Sequence, residues 1–163
     1  MIVNFAHNLP CMLSPLQEFI CDHCQRAIED INQGRIQWRD TDKEGNLSEY
    51  YNFKIVHGGC MHDYDMDEGL QVFAGVNLDT TERVARILSL LHNNEHHNSS
   101  FETPIVRNVV SDLEIIRRLT IPYYEEARLY WKSAIADGFF QDKTELDIYN
   151  EQFLKSLIQI YSA

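Results

Sequence analysis

Hydrophobic and polar residues alternate along two segments in the first third of the chain. The segments are residues 35–39 and 51–56, and alternation with a period of two is typical of strands that bury one face. The residues between them, 40–48, are mostly polar and fit a turn. We therefore predict a β-hairpin here, and we predict a further strand over residues 16–20.

After residue 68 the apolar residues follow a helical spacing of three or four positions. We predict four amphipathic helices, which begin near residues 80, 111, 122 and 144, and Gly138 should end the third. The second should turn Leu113, Ile116 and Leu119 inward. The last should run to about residue 161 and carries a wide apolar arc that includes Leu146 and Ile160. We expect this arc to be buried within the fold or to form a homodimer contact.

Three cysteines and a histidine form two short motifs separated by 32 residues. Cys21-Asp22-His23-Cys24 and His57-Gly58-Gly59-Cys60 together give the pattern C-x2-C-x32-H-x2-C. Each motif holds two ligands at the spacing of a tetrahedral metal knuckle. Glycine reaches positive φ at little steric cost, so the Gly-Gly pair suits such a turn. We predict one structural zinc ion bound by Cys21, Cys24, His57 and Cys60.

The third and fourth ligands of this site stay open. His62 could replace either member of the second motif, and His23 lies inside the first. Cys11 is expected to take no part. A redox C-x-x-C would need a long following helix in a βαβ pattern, whereas residues 25–34 lead quickly to a strand. Metal binding is therefore the better interpretation.

Together these patterns predict an α+β fold. A small zinc-stabilised β-hairpin module, similar to a zinc ribbon or treble clef, should occupy residues 1–67. It should pack on a helical lobe of about four helices over residues 68–163. The 163 residues are 44% hydrophobic, which is enough for a real core, so we expect the two parts to form one compact unit.

Two other motifs match known metal sites only in part. Residues 40–51 begin like a calcium-binding EF-hand loop, but Tyr51 stands at the twelfth position, where a glutamate is required. Residues 92–96 spell H-x-x-E-H, the motif of inverted zinc peptidases, in a stretch rich in asparagine and histidine near a helix end. We predict ordinary loops in both places, and we predict an exposed connector for the acidic run at 63–68 before Gly69.

The charge balance is strongly acidic, with 25 acidic and 14 basic residues and a net charge of −11. Because nucleic-acid binding depends on neutralising phosphates, this balance argues against it and favours a basic protein partner. No segment is apolar for long enough to cross a membrane, and the N-terminus lacks the features of a signal peptide. We therefore expect a cytoplasmic protein with reduced thiols.

Several segments carry a resemblance to a known group of proteins. They are Ile20–Cys24, Gly34–Trp38, Phe53–His57 with Cys60, Leu119–Arg128 and Asp137–Phe140. In these segments the chain resembles uncharacterised bacterial proteins that have an N-terminal zinc-ribbon-like module and a helical C-terminal part. The resemblance covers most of the chain. It implies this architecture and a bacterial or phage origin, and it implies no particular activity.

The leading functional hypothesis is a non-enzymatic protein-interaction or regulatory module, for example an inhibitor or immunity-like factor for a basic partner. One alternative is a nucleic-acid-binding regulator that uses the zinc knuckle with Arg117 and Arg118, supported by Lys132. A third hypothesis is a metal-dependent nuclease or hydrolase. It would use a histidine of the second motif or His62 as base, and it would require an open coordination position at the metal.

Overall fold

A computed structural model describes residues 13–40, 50–61, 66–74, 81–85 and 109–162. The chain is a mixed α+β protein, which confirms the predicted fold class. Residues 81–85 are helical, and single 3-10 turns cover Ile31–Gln33 and Gly58–Cys60. The other elements are β1 (Phe19–Ile20), β2 (Ala27–Ile28), β3 (Gly34–Asp40), β4 (Tyr50–His57), β5 (Met66–Gly69), α1 (Leu70–Ala74), α2 (Val109–Thr120), α3 (Tyr124–Ala136), α4 (Glu145–Ile148) and α5 (Glu151–Tyr161).

Two antiparallel sheets organise the N-terminal part. β1 and β2 form a small hairpin, and β3 is the central strand of a three-stranded sheet with the order β4-β3-β5. The predicted β3–β4 hairpin is confirmed, with Ile36 opposite Ile55 and Gly34 opposite His57. This register brings His57 back beside the start of β3. Residues 41–49, which hold most of the predicted turn and of the EF-hand-like segment, lie outside the described residues.

Two expectations for this part were wrong. The strand predicted over residues 16–20 is only two residues long, because Leu16 adopts a left-handed backbone with φ 61° in the preceding turn. The acidic segment ending at Gly69 was expected to be an exposed connector. Its last four residues instead form β5, which pairs with β3 in the register Gln37 to Asp67. The predicted module boundary at residue 67 falls within this strand.

The sheets and α2 share one hydrophobic core. Ile36 and Ile55 of the central hairpin are fully buried, and they belong to the same cluster as Ile115 and Leu119 of α2. A second cluster lies in the helical part, where α3 packs on α5. Helix α2 therefore joins the helical part to the sheet through direct apolar contact.

The inward face of α2 differs from the prediction at Leu113, while Leu119 is buried and Ile116 packs against the core as predicted. Leu113 is 42% exposed, whereas Ile115, Arg118 and Leu119 are buried. These three residues are spaced i, i+3 and i+4, so they share one side of the helix. The hydrophobic pattern alone misses this face because a charged residue lies at its centre.

The last predicted helix is two helices. The side chain of Thr144 caps α4 and that of Asn150 caps α5, and the extended backbone of Asn150 interrupts the helical repeat. The predicted apolar arc is therefore divided: Leu154, Leu157 and Ile158 are buried, but Leu146 is 88% exposed and Ile160 is also exposed. Gly138 ends α3 with a positive φ of 74°, as the sequence predicts.

Gly34 allows close packing between the sheet and α1. A Cβ atom at Gly34 would lie 2.6 Å from Leu70 Cδ2, whereas one at Gly59 would meet nothing within 4 Å. We expect Gly34→Ala to lower the free energy of unfolding by about 1–3 kcal/mol, the usual cost of overpacking. Gly59→Ala should change it by less than about 0.5 kcal/mol. Urea unfolding measures both, and equal stability of the two variants would contradict this account.

Candidate metal centre

The first metal-binding motif forms the turn of the β1–β2 hairpin. The Cys21 amide donates to the Arg26 carbonyl at 2.9 Å, and the Gln25 amide donates to the Cys21 carbonyl at 2.9 Å. Gln25 adopts a left-handed backbone with φ 60°. This tight turn places Cys21 and Cys24 on one side, where the Cys24 amide lies 3.5 Å from Cys21 Sγ.

The second motif begins at the last residue of β4. His57 ends the strand, and the following 3-10 turn carries Cys60 back towards the first knuckle. The His57 amide donates to Cys21 Sγ at 3.4 Å. The expected positive φ at Gly58 and Gly59 is wrong, since among the described glycines only Gly138 has one. The residue of this centre that has a left-handed backbone is Gln25. The sequence gives no signal for this conformation, because positive φ is predicted mainly at glycine.

The hairpins bring the four predicted ligands together. One ligand atom from each of Cys21, Cys24, His57 and Cys60 lies within 4.8 Å of all the others, and the three cysteines are free thiols. The distance from His57 Nδ1 to Cys24 Sγ is 3.4 Å. Neighbouring ligands around a tetrahedral zinc ion stand roughly 3.3–3.8 Å apart. The cluster is therefore compact enough to hold one metal ion.

A backbone carbonyl orients the histidine ligand. His57 Nε2 lies 3.1 Å from the carbonyl oxygen of Ala27 on β2. When Nε2 carries the ring proton it donates to this carbonyl, and the lone pair of Nδ1 then faces the three sulfurs. Such an outer contact fixes both the tautomer and the ring plane of a metal-binding histidine.

The sulfurs influence one another strongly. Burial tends to raise the pKa of Cys24, but hydrogen bonds from Arg26, Cys21 and Cys60 outweigh it and lower the pKa to about 6. Burial, the hydrogen bond with Cys24 and the charges of Cys21 and Cys24 raise the pKa of Cys60 to about 11. Three thiolates in contact repel one another, and a divalent cation at their centre compensates that repulsion. The donor set therefore fits a metal cation.

The alternative ligands considered from the sequence lie outside the four-residue cluster or outside the described residues. His23 lies within the first knuckle, but its side chain is exposed and does not belong to the four-residue cluster. Cys11, His62, and the H-x-x-E-H segment at 92–96 lie outside the described residues, as do Asp63 and Asp65. The part of the chain that the structure describes thus contains a single group of this kind.

A buried ionic network lies directly beside the first knuckle. Arg118 of α2 is 3% exposed. It makes a bidentate pair with Glu125 at 2.8 and 2.9 Å, and its Nη1 donates to Asp22 Oδ2 at 2.6 Å. Its Nη2 also donates to the Ile20 carbonyl at 2.9 Å. Arg128 adds a second cation, which contacts Glu125 at 3.0 Å and Asp22 at 3.4 Å.

This network binds both neighbours of Cys21. Glu125 Oε1 accepts a hydrogen bond from the Ile20 amide at 2.7 Å. Asp22 Oδ2 accepts from the Ile55 amide at 2.8 Å, and the Asp22 amide donates to the Ile55 carbonyl. The knuckle is thereby attached to β4 on one side and to α2 and α3 on the other.

The charges of the network stabilise one another. Burial alone would raise the pKa of Glu125, but Arg118 and Arg128 outweigh it and lower the pKa to about 2. Burial likewise opposes the charged form of Arg118, yet Glu125 and Asp22 raise its pKa above the ordinary value. Arg118 and Glu125 therefore remain ionised at neutral pH, and each of these buried charges has a partner.

The structure gives Arg118 a different place from the basic nucleic-acid surface predicted for it. The structure buries Arg118, Glu125 and Glu126. The signal in the sequence is the position of Arg118 between Ile115 and Leu119 on one helical face. It becomes informative only once the sheet beneath that face is known.

The other basic residues of the nucleic-acid hypothesis do not make the same contacts. Arg117 lies over the ring of Tyr149, with its guanidinium carbon 4.9 Å from the ring centroid. Lys132 is exposed on α3. The structure therefore commits one of the two predicted arginines to internal ion pairs.

No family model, curated protein or solved structure matches this chain. The resemblance to uncharacterised bacterial proteins accordingly stays a prediction. Among the described helices, none combines the length and apolar character needed to cross a membrane.

We expect loss of Arg118 to destabilise the protein strongly. Arg118→Gln removes the main partner of two buried carboxylates, and breaking a buried pair in this way typically costs about 3–5 kcal/mol. Lys155→Gln is the control, because it removes an exposed pair with Glu151 and a contact with the Tyr123 ring, and it should cost at most about 1 kcal/mol. Urea unfolding of both variants in one buffer measures the difference. Similar stabilities would show that the network contributes little.

Proposed function

We propose that this protein is a zinc-stabilised, non-enzymatic binding module. The observation that carries the proposal is the four-ligand cluster of Cys21, Cys24, His57 and Cys60. Structural zinc sites use four protein ligands, whereas catalytic sites keep one position for water or substrate. A complete set of protein ligands therefore supports a structural role and argues against hydrolysis at the metal.

The ligand types favour zinc among the common metal ions. Three thiolates and one imidazole are soft or intermediate donors, which suit zinc and tetrahedral iron and do not suit magnesium or calcium. The amide groups of Cys24 and His57 donate to Cys21 Sγ, and such contacts compensate the negative charge on sulfur. Zinc supplies no redox chemistry, which agrees with a site that serves the fold.

The short strands of the N-terminal part indicate that its folding requires additional stabilisation, which a metal ion can supply. β1 and β2 are two residues long each, and so short a hairpin is not stable alone in water. Metal binding can contribute on the order of 10 kcal/mol to the folding of small modules. A zinc-ribbon-like arrangement, in which two hairpins share one ion, follows from this requirement.

The net charge of −11 supports a basic protein segment as the partner. Exposed carboxylates occur on several described elements, including Glu29, Asp30, Glu68, Asp137 and Glu151. A surface of this sign attracts a basic partner over long distances and repels phosphate backbones. The nucleic-acid alternative loses support because Arg118 is paired internally.

The metal proposal predicts one zinc ion per chain, with Cys21, Cys24 and Cys60 protected from thiol reagents until a chelator is added. Cys21→Ser should lose the metal and unfold the N-terminal part. His23→Ala is the matched control, because this histidine lies in the same turn and outside the cluster, so it should keep one zinc. Elemental analysis and thiol titration measure both variants. Full zinc content in Cys21→Ser, or iron in place of zinc in the wild type, would contradict the proposal.

The partner class is tested with two labelled probes, a short oligolysine peptide and a short DNA duplex. We expect the peptide to bind the zinc-loaded protein, with an affinity that falls as salt is added, and we expect no binding of the duplex. Fluorescence anisotropy measures both. Preferential binding of the duplex, weakened by Arg117→Gln, would instead support the nucleic-acid alternative.

A further inference from the structure

A cleft of about 340 Å³ opens in the helical part, beside Arg128 of the ionic network. Its lining residues come from α2, α3 and the end of α4. They are Glu114, Arg117, Tyr124, Arg128, Trp131 and Tyr149. The cleft thus combines two guanidinium groups with three aromatic rings, a composition that recognises a particular class of small molecule.

Arg117 offers unused hydrogen-bond donors to this cleft. Its nearest carboxylate oxygen, on Glu114, is 3.9 Å away, which is too far for a hydrogen bond. Among the described residues its guanidinium group has no hydrogen-bonded acceptor. Stacking on Tyr149 at 4.9 Å holds the planar group in place. A stacked arginine of this kind presents a rigid fork that matches a carboxylate or a phosphate.

Arg128 supplies a second positive charge at the same wall. Its Nε and Nη2 atoms donate to Glu125, and Nη2 also contacts Asp22. Within the described part of the chain, Nη1 has no acceptor. Arg128 is therefore fixed by the buried network on one side and retains donors on another.

The single carboxylate of the lining is already engaged. Glu114 Oε2 accepts a hydrogen bond from the Tyr124 hydroxyl at 2.7 Å. Burial and the nearby Glu114 raise the pKa of Tyr124 above its ordinary value, so the hydroxyl remains a donor at neutral pH. The lining carries two guanidinium groups and one carboxylate, and its donors without an acceptor among the described residues belong to Arg117 and to Nη1 of Arg128. An anion is the ligand that such a wall favours.

The aromatic residues add a preference for a flat group. Trp131 and Tyr149 are nearly parallel, with an interplanar angle of 21° and ring centroids 6.3 Å apart. Tyr124 meets the Trp131 ring edge-on at 5.8 Å. Aromatic faces of this kind stabilise a planar ligand through stacking and apolar contact.

We propose that this cleft binds a small anion that carries a planar ring. The carboxylate or phosphate group lies on the guanidinium fork of Arg117, and Arg128 contributes a second positive charge. The ring packs against Trp131 and Tyr149. This site is separate from the metal ligands and from the acidic surface, so it adds a small-molecule ligand to a protein whose other proposed partner is basic.

The test uses two anionic probes and their neutral parents. Indole-3-acetate supplies the carboxylate and adenosine monophosphate supplies the phosphate; indole and adenosine are the ring-only controls. Isothermal titration calorimetry on the metal-loaded full chain should show sub-millimolar binding of at least one anion, with the neutral parent at least about tenfold weaker. The anion that binds more tightly shows whether the cleft prefers a carboxylate or a phosphate group.

Variants then assign the binding to the cleft. Arg117→Gln should weaken the anion at least about tenfold, whereas Lys132→Gln, which removes an exposed cation of α3 outside the lining, should leave affinity unchanged. Metal content and circular dichroism of each variant separate loss of the cleft from loss of the fold. The inference fails if neither anion binds at millimolar concentration, if the neutral parents bind equally well, or if the two variants behave alike.

Discussion

The pairing of Arg118 with Glu125 and Asp22 is the constraint on which the arrangement of this protein depends. A guanidinium group that is 3% exposed has lost almost all its water, and that loss is costly unless every charge is matched. Here the acceptors come from three places: α3, the first metal knuckle and the backbone of β1. The guanidinium group of Arg118 therefore has all its acceptors only when α3, β1 and the knuckle are assembled together.

The candidate ligands and the ionic network lie on two sides of the first knuckle. The cluster brings the β1–β2 hairpin next to the end of β4, whereas the network joins the same hairpin to α2 and α3. Cys21 lies between them, with Ile20 and Asp22 on either side, and is completely buried. A knuckle held from both directions is rigid enough to keep its sulfurs in one geometry, which metal binding requires.

Three arginines of α2 and α3 lie in enclosed or recessed positions of this acidic chain. Carboxylates predominate in the composition, yet Arg118 is enclosed, and Arg117 and Arg128 line a partly open cleft. The aromatic cluster of the helical part both fills its core and walls this cleft. One set of rings thus serves packing and lines a cleft that also carries two guanidinium groups.

Local features were readable from the sequence alone. The β3–β4 hairpin follows from alternation, the end of α3 follows from Gly138, and the four candidate ligands follow from spacing within two motifs, because each depends on residues a few positions apart. Only the tertiary structure placed β5 at the sheet edge, turned Leu113 and Leu146 outward and buried Arg118. These outcomes depend on contacts between residues distant in sequence, such as Asp22 and Arg118. The local hydrophobic pattern cannot indicate them, because it does not show which distant residue compensates a buried charge or packs against an apolar face.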